Sequence, residues 1–186
     1  MSAGNFLARL VALLEASEIP HMVTGSFAST FHGVARATQD LDVVVDPTGA
    51  TLDTFLASLD PDVYYVDPDT ARDALRRRSQ FNVIDMTTGW KGDLIIRKAR
   101  PFSIEELARR QPVELMGTQT YVATAEDSIV AKLEWAKQSD STRQLRDVAG
   151  IVAMRANTLD TDYVERWVTA LGLEAEWARV RAGDAF

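Results

Sequence analysis

The spacing of apolar residues changes several times along the chain, and each change marks a predicted element. A repeat of three to four residues predicts helices at 4–17, 26–33, 50–59 and 69–78. Short β-branched or alternating runs predict strands at 21–24, 41–45, 63–66, 81–87 and 92–98. Beyond Ile104, a short helix and a small strand pair around Gly117 lead into helical patterns at about 125–137, 142–155 and 160–182. We therefore predict an α/β front, residues 1–112, with a mostly helical back, residues 113–186, packed on it.

Composition narrows the class of protein. The chain has 186 residues and no cysteine, which excludes a disulfide framework. Its two histidines are too few for a typical structural zinc site. Its apolar runs are too short to cross a membrane, and Arg9 and Glu15 interrupt the first one at helical spacing. We therefore expect a cytoplasmic protein without a membrane partner. The net charge of −7 argues against binding to long nucleic acids.

Two aspartates stand at the start of the strand predicted at 41–45. Asp40 and Asp42 are two residues apart, so their side chains point to the same face, and Thr38 precedes them in the same phase. Neighbouring carboxylates repel, and a hard cation such as Mg²⁺ relieves that repulsion. The alternative is that Asp40 ends a loop and Asp42 is solvated at a strand edge.

A Gly-Ser pair lies between the first predicted strand and the next helix. Gly25 allows close approach of the backbone to a ligand, and Ser26 with the first helical amides offers hydrogen bonds to phosphate. The alternative is that Ser26 only caps a surface helix.

Taken together, these motifs resemble a known superfamily. Gly25-Ser26, thirteen further residues and Asp40-Leu41-Asp42, with Arg36 and Thr38 just ahead, resemble nucleotidyltransferases of the polymerase-β type. The closest likeness is to their small AbiEii-like and minimal prokaryotic branch. It covers residues 4–100 and continues loosely through 124–137 and 143–151. The resemblance implies an α/β (α+β) fold, with a mixed sheet flanked by helices and followed by a small helical part.

The family also implies a third carboxylate on a neighbouring strand, and two residues compete for this position. Asp93 enters the apolar strand at 92–98, whereas Asp85 precedes a turn, where aspartate is common for local reasons. Asp93 is the better candidate. The alternative for either residue is that it only keeps the hairpin soluble.

The resemblance assigns a role to each motif. Gly25 and Ser26 would bind the triphosphate of an NTP, while Asp40, Asp42 and Asp93 would hold Mg²⁺ or Mn²⁺. Asp93 would also help to deprotonate the acceptor hydroxyl. The implied reaction moves a nucleoside monophosphate to an acceptor, which is a small molecule, a tRNA or a protein, and releases pyrophosphate.

Four further residues have weaker signals for nucleotide binding. Thr38 and Arg36 belong to the motif, and Arg36 is either an ordinary loop cation or a phosphate contact. Lys132 flanks an apolar helix face, where lysine normally extends to water; in AbiEii-like proteins a lysine in the similar segment is thought to meet phosphates. Asp147 suits the start of a helix electrostatically, and only the family resemblance suggests more.

A second class of function stays open. The chain could be a non-catalytic member that binds a nucleotide or a partner, as one component of a toxin–antitoxin or phage-defence pair with a cognate antitoxin. Retention of all five residues Gly25, Ser26, Asp40, Asp42 and Asp93 favours the enzyme.

Overall fold

The computed structural model describes residues 3–34 and 38–183. Helices and strands are mixed through the first two thirds of the described chain, and the elements that follow are all helices. In chain order they are α1 (Ala3–Ala16), β1 (His21–Val23), α2 (Gly25–Phe31), β2 (Asp40–Val45), α3 (Gly49–Ser58), β3 (Tyr64–Tyr65), α4 (Pro68–Arg77), β4 (Gln80–Asp85), β5 (Lys91–Ile96), α5 (Pro101–Ala108), β6 (Gln111–Leu115), β7 (Thr118–Val122), α6 (Ala125–Ser139), α7 (Thr142–Arg155), α8 (Thr161–Leu171) and α9 (Glu174–Ala182).

The chain forms two compact units, which differ from the predicted division at residue 112. The first contains residues 1–24 and 37–122, and the second contains residues 25–36 and 123–186. Residue 112 lies inside β6, which forms a hairpin with β7, and β7 pairs with β1 in the first unit. Helix α2 belongs to the second unit, where it packs on α6. The sheet therefore keeps ten residues that the sequence pattern had assigned to the helical part (113–122).

A mixed sheet organises the first unit. Within the described residues it has seven strands in the order β3-β4-β5-β2-β1-β7-β6. Strand β2 runs parallel to β5 and antiparallel to β1, and the remaining neighbours are antiparallel except for β1 and β7. The prediction of a mixed sheet flanked by helices is confirmed.

One face of this sheet is covered by α1, as its amphipathic pattern predicts. The buried side chains of α1 are Phe6, Leu7, Leu10, Val11 and Leu14. On β5 the helix comes so close that a Cβ at Gly92 would lie 3.0 Å from Leu10 Cδ2. The absence of a side chain at Gly92 therefore allows α1 to lie against the centre of the sheet.

The second unit is a cluster of helices, and here one prediction is wrong. The pattern at 160–182 predicted one helix, but α8 ends before Gly172 and α9 begins at Glu174. Gly172 has φ of 65° and its N–H bonds back to the end of α8, which is a common way for glycine to stop a helix. Trp167 and Trp177 are both buried and continue one apolar pattern across the break, so the sequence looked like a single helix.

Among the helices in the described part of the chain, none has the length and apolar character needed to cross a membrane.

Candidate functional site

The carboxylates of β2 and β5 meet on one face of the sheet. Asp42 pairs in register with Asp93, and Asp40 pairs with Lys91, two residues earlier on each strand. Because directly paired residues of parallel strands point to the same side, the four side chains share a face. The opposite face at this point carries Leu41 and Gly92, against α1. The structure thus brings together the three predicted acidic residues and adds a lysine.

Lys91 contacts the carboxylates of Asp40 and Asp93. Its Nζ lies 3.4 Å from Asp40 Oδ1 and 3.2 Å from Asp93 Oδ2. The side chain of Asp40 is 53% exposed, whereas that of Asp93 is 14% exposed. Burial lowers the pKa of Lys91, but the bonds and charges of Asp93 and Asp40 outweigh this effect and raise the pKa above its usual value. Lys91 is therefore held as an ammonium ion between two acidic side chains.

One oxygen of the cluster lacks a hydrogen-bond partner among the described residues. Asp93 Oδ1 is buried and has no hydrogen-bond partner within residues 3–34 and 38–183. A buried carboxylate oxygen without a partner is costly, and native proteins rarely leave one without a reason. A ligand that supplies positive charge or a donor at this point would remove the cost.

Asp40, Asp42 and Asp93 offer the type of donor atom that a hard cation prefers, but they are not arranged around a cation. In the described chain, no set of three acidic or imidazole side chains is already positioned as metal ligands. The donors are nevertheless carboxylate oxygens on adjacent strands, and one of these oxygens has no partner in the part of the chain that the structure describes. Mg²⁺ and Mn²⁺ prefer such oxygens. The donor set of Asp40, Asp42 and Asp93 therefore suits the predicted ion, and metal binding stays a prediction.

Asp85, the competing candidate for the third carboxylate, lies on the other face. It ends β4 one residue beyond Ile84, which pairs with Lys91, so its side chain points toward α1. There it forms an ion pair with Arg9. Thr87 donates to Asp85 Oδ1 from its N–H at 2.9 Å and its hydroxyl at 2.6 Å. Asp85 is thus fully engaged in holding the structure together, and Asp93 keeps the better case for a functional role.

The environment of Asp85 also changes its acidity. Burial by itself would raise its pKa, but hydrogen bonds from Thr87 and Thr88 and the charge of Arg9 lower the pKa to about 2. The carboxylate therefore stays ionised and cannot accept a proton near neutral pH.

The loop before β2 holds part of the motif. The Thr38 hydroxyl accepts a bond from the N–H of Asp40 and donates to the carbonyl of Asp40, both at 3.1 Å. Thr38 thus orders the backbone where β2 begins, and its predicted contact with nucleotide is a separate role. On the other side of β2, the N–H of Thr24 donates to the carbonyl of Asp42 at 2.9 Å. Arg36 lies outside the described residues.

The Gly-Ser motif begins a helix in the second unit. Gly25 has φ of 61°, a left-handed conformation that favours glycine, and it opens α2. Ser26 is buried in the first turn of α2. The predicted contact of both residues with phosphate stays a prediction.

Lys132 and Asp147 are bonded to each other in the second unit. Lys132 Nζ, on α6, donates to Asp147 Oδ2 on α7 at 2.8 Å and to Gln144 Oε1 at 3.2 Å. Both charged side chains are nearly buried, so each supplies the charge that the other needs. This pair links two helices, and a role for either residue in nucleotide binding stays a prediction.

Lys91 was not among the site residues predicted from the sequence. It directly precedes the strand predicted at 92–98, and its spacing of two residues from Asp93 was a visible signal, since residues two apart in a strand share a face. Its second partner was not visible, because Asp40 approaches only through the register of β2 on β5.

Comparison with known proteins rests on structure. No protein-family model and no curated protein sequence matches the chain. A nucleotidyltransferase-like antigenic protein from Paracoccidioides brasiliensis is similar with a TM-score of 0.61 and 14% identity, over 98% of this chain and 90% of that one. The antibiotic-resistance factor ANT(2'')-Ia, in complex with adenylyl-2''-tobramycin, is similar with a TM-score of 0.61 and 13% identity, over 95% and 99% of the two chains. In solution the same factor gives a TM-score of 0.58 and 11% identity, over 97% and 96%.

This chain has a nucleotidyltransferase fold. The resemblance inferred from its motifs is confirmed at that level, because each neighbour matches over nearly its whole length. At such low identity the likeness concerns the fold alone. The AbiEii-like branch, the antitoxin partner and the cytoplasmic location stay predictions.

Proposed function

We propose that the protein is a metal-dependent nucleotidyltransferase that moves a nucleoside monophosphate from an NTP to an acceptor hydroxyl. The observation that supports this most is the pairing of Asp42 with Asp93 on one face of the sheet, with a buried Asp93 oxygen that lacks a partner in the described chain. In a nucleotidyltransferase fold, such a pair is suited to binding a cation that accompanies a triphosphate.

The chemistry follows from these residues. A divalent cation held by Asp40, Asp42 and Asp93 would supply the positive charge that offsets the triphosphate and the leaving pyrophosphate. We assign contacts with the triphosphate to Gly25 and Ser26. Asp93 takes the proton of the acceptor hydroxyl while the oxygen of that hydroxyl bonds to the α-phosphorus. The bond from the α-phosphorus to the pyrophosphate oxygen breaks in the same step. Positioning and charge neutralisation do most of the work in such transfers.

A small hydroxylated molecule is our first choice of acceptor. One structural neighbour is seen with an adenylylated aminoglycoside, and that chain is matched over 99% of its length. A protein with a net charge of −7 would also attract a cationic acceptor rather than a long nucleic acid. A tRNA end or a protein side chain would be the next acceptors to test.

The first experiment is calorimetry of each of the four NTPs with Mg²⁺, on the wild type and on the Asp40→Ala/Asp42→Ala protein. We expect binding of at least one NTP that requires Mg²⁺ and vanishes in the double variant. Transfer from the bound NTP, labelled in its α-phosphate, to a panel of aminoglycosides, tRNA and proteins then identifies the acceptor. A folded wild type that binds no NTP would overturn the proposal and favour a non-catalytic partner-binding protein.

A further inference from the structure

Lys91 lies between two carboxylates of the acidic cluster. Its ammonium is within 3.4 Å of Asp40 and 3.2 Å of Asp93, both of which the proposed function assigns to a divalent cation. An ammonium and a divalent cation cannot both occupy the space between the same two carboxylates. The further inference rests on the proposed function in this respect, and it concerns what fills the site before the cation arrives.

The local charges explain why a lysine is useful in the ligand-free protein. Asp42 and Asp93 are paired across two strands and Asp40 is two residues away, so three carboxylates crowd one end of the sheet. Like charges on paired and next-to-paired positions of adjacent strands repel one another. Lys91 reduces the repulsion for Asp40 and Asp93, yet it leaves Asp93 Oδ1 without a partner in the described residues. The lysine therefore compensates the cluster only in part.

The contacts of Lys91 are also easy to release. Its side chain is 32% exposed and the Asp40 side chain is 53% exposed, and both distances exceed 3 Å. The pair with Asp40 is therefore partly exposed, and such pairs contribute little net stability. The Asp93 side chain is 14% exposed, so its contact with Lys91 is the more buried of the two. By comparison, a divalent cation carries twice the charge of an ammonium and is coordinated by several carboxylate oxygens at once.

We propose that Lys91 is a built-in competitor of the divalent cation. Its ammonium occupies the position between Asp40 and Asp93 in the ligand-free protein, and it moves into solvent when the cation binds. The protein accordingly binds free divalent cations weakly, because each binding event must first break two ion pairs. Among the described residues, Lys91 is the lysine at the acidic end of β5, whereas Lys98 follows the other end of this strand.

The test measures cation binding without turnover. Binding of Mn²⁺ is followed by electron paramagnetic resonance for the wild type and for Lys91→Met, which keeps the length of the side chain and removes its charge. We expect Mn²⁺ to bind Lys91→Met about ten-fold more tightly or better, since one unit of opposing charge disappears from contact distance. Lys98→Met removes the same charge beyond the far end of the strand and should change the affinity less than two-fold.

Two further measurements show where the cation binds and what moves. In Lys91→Met/Asp93→Asn the gain in affinity should be lost, because a proposed ligand is missing. In protein labelled with ¹⁵N in the lysine side chains, the Lys91 ammonium signal should shift on titration with Mg²⁺, while the Lys98 signal should not. Lys91→Gln serves as the second variant if circular dichroism shows Lys91→Met to be misfolded.

The outcomes separate the two proposals. If the wild type binds Mn²⁺ and the Lys91 variant binds it no more tightly, Lys91 is not a competitor, although the metal site stands. If the Lys91 ammonium signal does not move when Mg²⁺ binds, displacement is ruled out. If neither protein binds Mn²⁺, the metal site of the proposed function fails, and this inference fails with it.

Discussion

Two aspartates of the same sheet have opposite surroundings. Asp93 and Asp85 lie on adjacent strands near the same end, but on different faces. Asp93 shares one lysine with Asp40 and has a buried oxygen without a partner in the described residues. Asp85, whose side chain is 0% exposed, is paired with Arg9 and accepts two bonds from Thr87.

The difference between Asp85 and Asp93 lies in how completely the surrounding protein compensates the charge of each carboxylate. The bonds of Asp85 lower its pKa to about 2, so it is a fixed charge whose removal would leave Arg9 and Thr87 without their acceptor. Within the described residues, Asp93 has an ion pair with Lys91 and one buried oxygen without a partner, which costs stability in the ligand-free protein. Burial alone therefore does not separate the two residues; incomplete compensation is the reason why we propose a function for Asp93 rather than for Asp85.

The largest expected effect is on activity, at Asp93. We expect Asp93→Asn to reduce the rate of nucleotidyl transfer on the order of 10³-fold, because both a cation ligand and the acceptor of the proton are lost. The free energy of unfolding should stay the same or rise, since charge repulsion with Asp42 disappears. Transfer is measured with α-labelled NTP, and stability by urea titration. Asp62→Asn, in an exposed turn, is the matched control and should keep full activity.

The reverse pattern is expected for Asp85. We expect Asp85→Asn to lower the free energy of unfolding by about 3 kcal/mol, because it breaks an ion pair whose carboxylate is buried and leaves Arg9 without this acceptor. Activity per folded molecule should be retained. Urea titration gives the first quantity, and transfer assays on protein of known folded fraction give the second. Loss of activity in a stable Asp85→Asn protein would reverse the assignment of the third carboxylate.

The free energy of unfolding at acid pH should report on Asp85 without an activity assay. Because the pKa of Asp85 is about 2 in the folded protein and 3.8 in the reference state, its contribution is present above the reference value and is lost as the pH falls toward 2. The difference corresponds to about 2 kcal/mol of unfolding free energy. Urea titrations between pH 5 and pH 2 should show this loss in the wild type. In Asp85→Asn the decline should be shallower, and equal slopes would mean that Asp85 is not specially stabilised.

The positions of the strands could be predicted from the sequence better than the order in which the strands pair. The β-branched run of β2 and its period of two placed Asp40 and Asp42 on one face, as observed. Which strand lies next to β2 depends on long-range pairing that local periodicity does not contain. Asp93 could therefore be favoured over Asp85 on its place in an apolar strand, but the two faces could not be seen.

Other features depended on contacts that are distant in the chain. Asp85 and Arg9 are 76 residues apart, so nothing near Asp85 indicated an ion pair. The hairpin of β6 and β7 joined the sheet through a parallel pairing with β1, which moved the division of the chain from residue 112 to residue 122. Gly172 was visible as a helix stop, but the apolar pattern around it continued on both sides.

The smallest expected effect comes from an ion pair with good geometry and little burial. Arg72 Nε lies 2.9 Å from Asp53 Oδ1, and the two side chains are 47% and 58% exposed. We expect Asp53→Asn to change the free energy of unfolding by less than about 0.5 kcal/mol, because water solvates both charges when the pair is broken. Urea titrations at low and high salt measure this difference. If Asp53→Asn cost as much as Asp85→Asn, pairing itself would matter more than burial, and the contrast drawn between Asp85 and Asp93 would lose its physical basis.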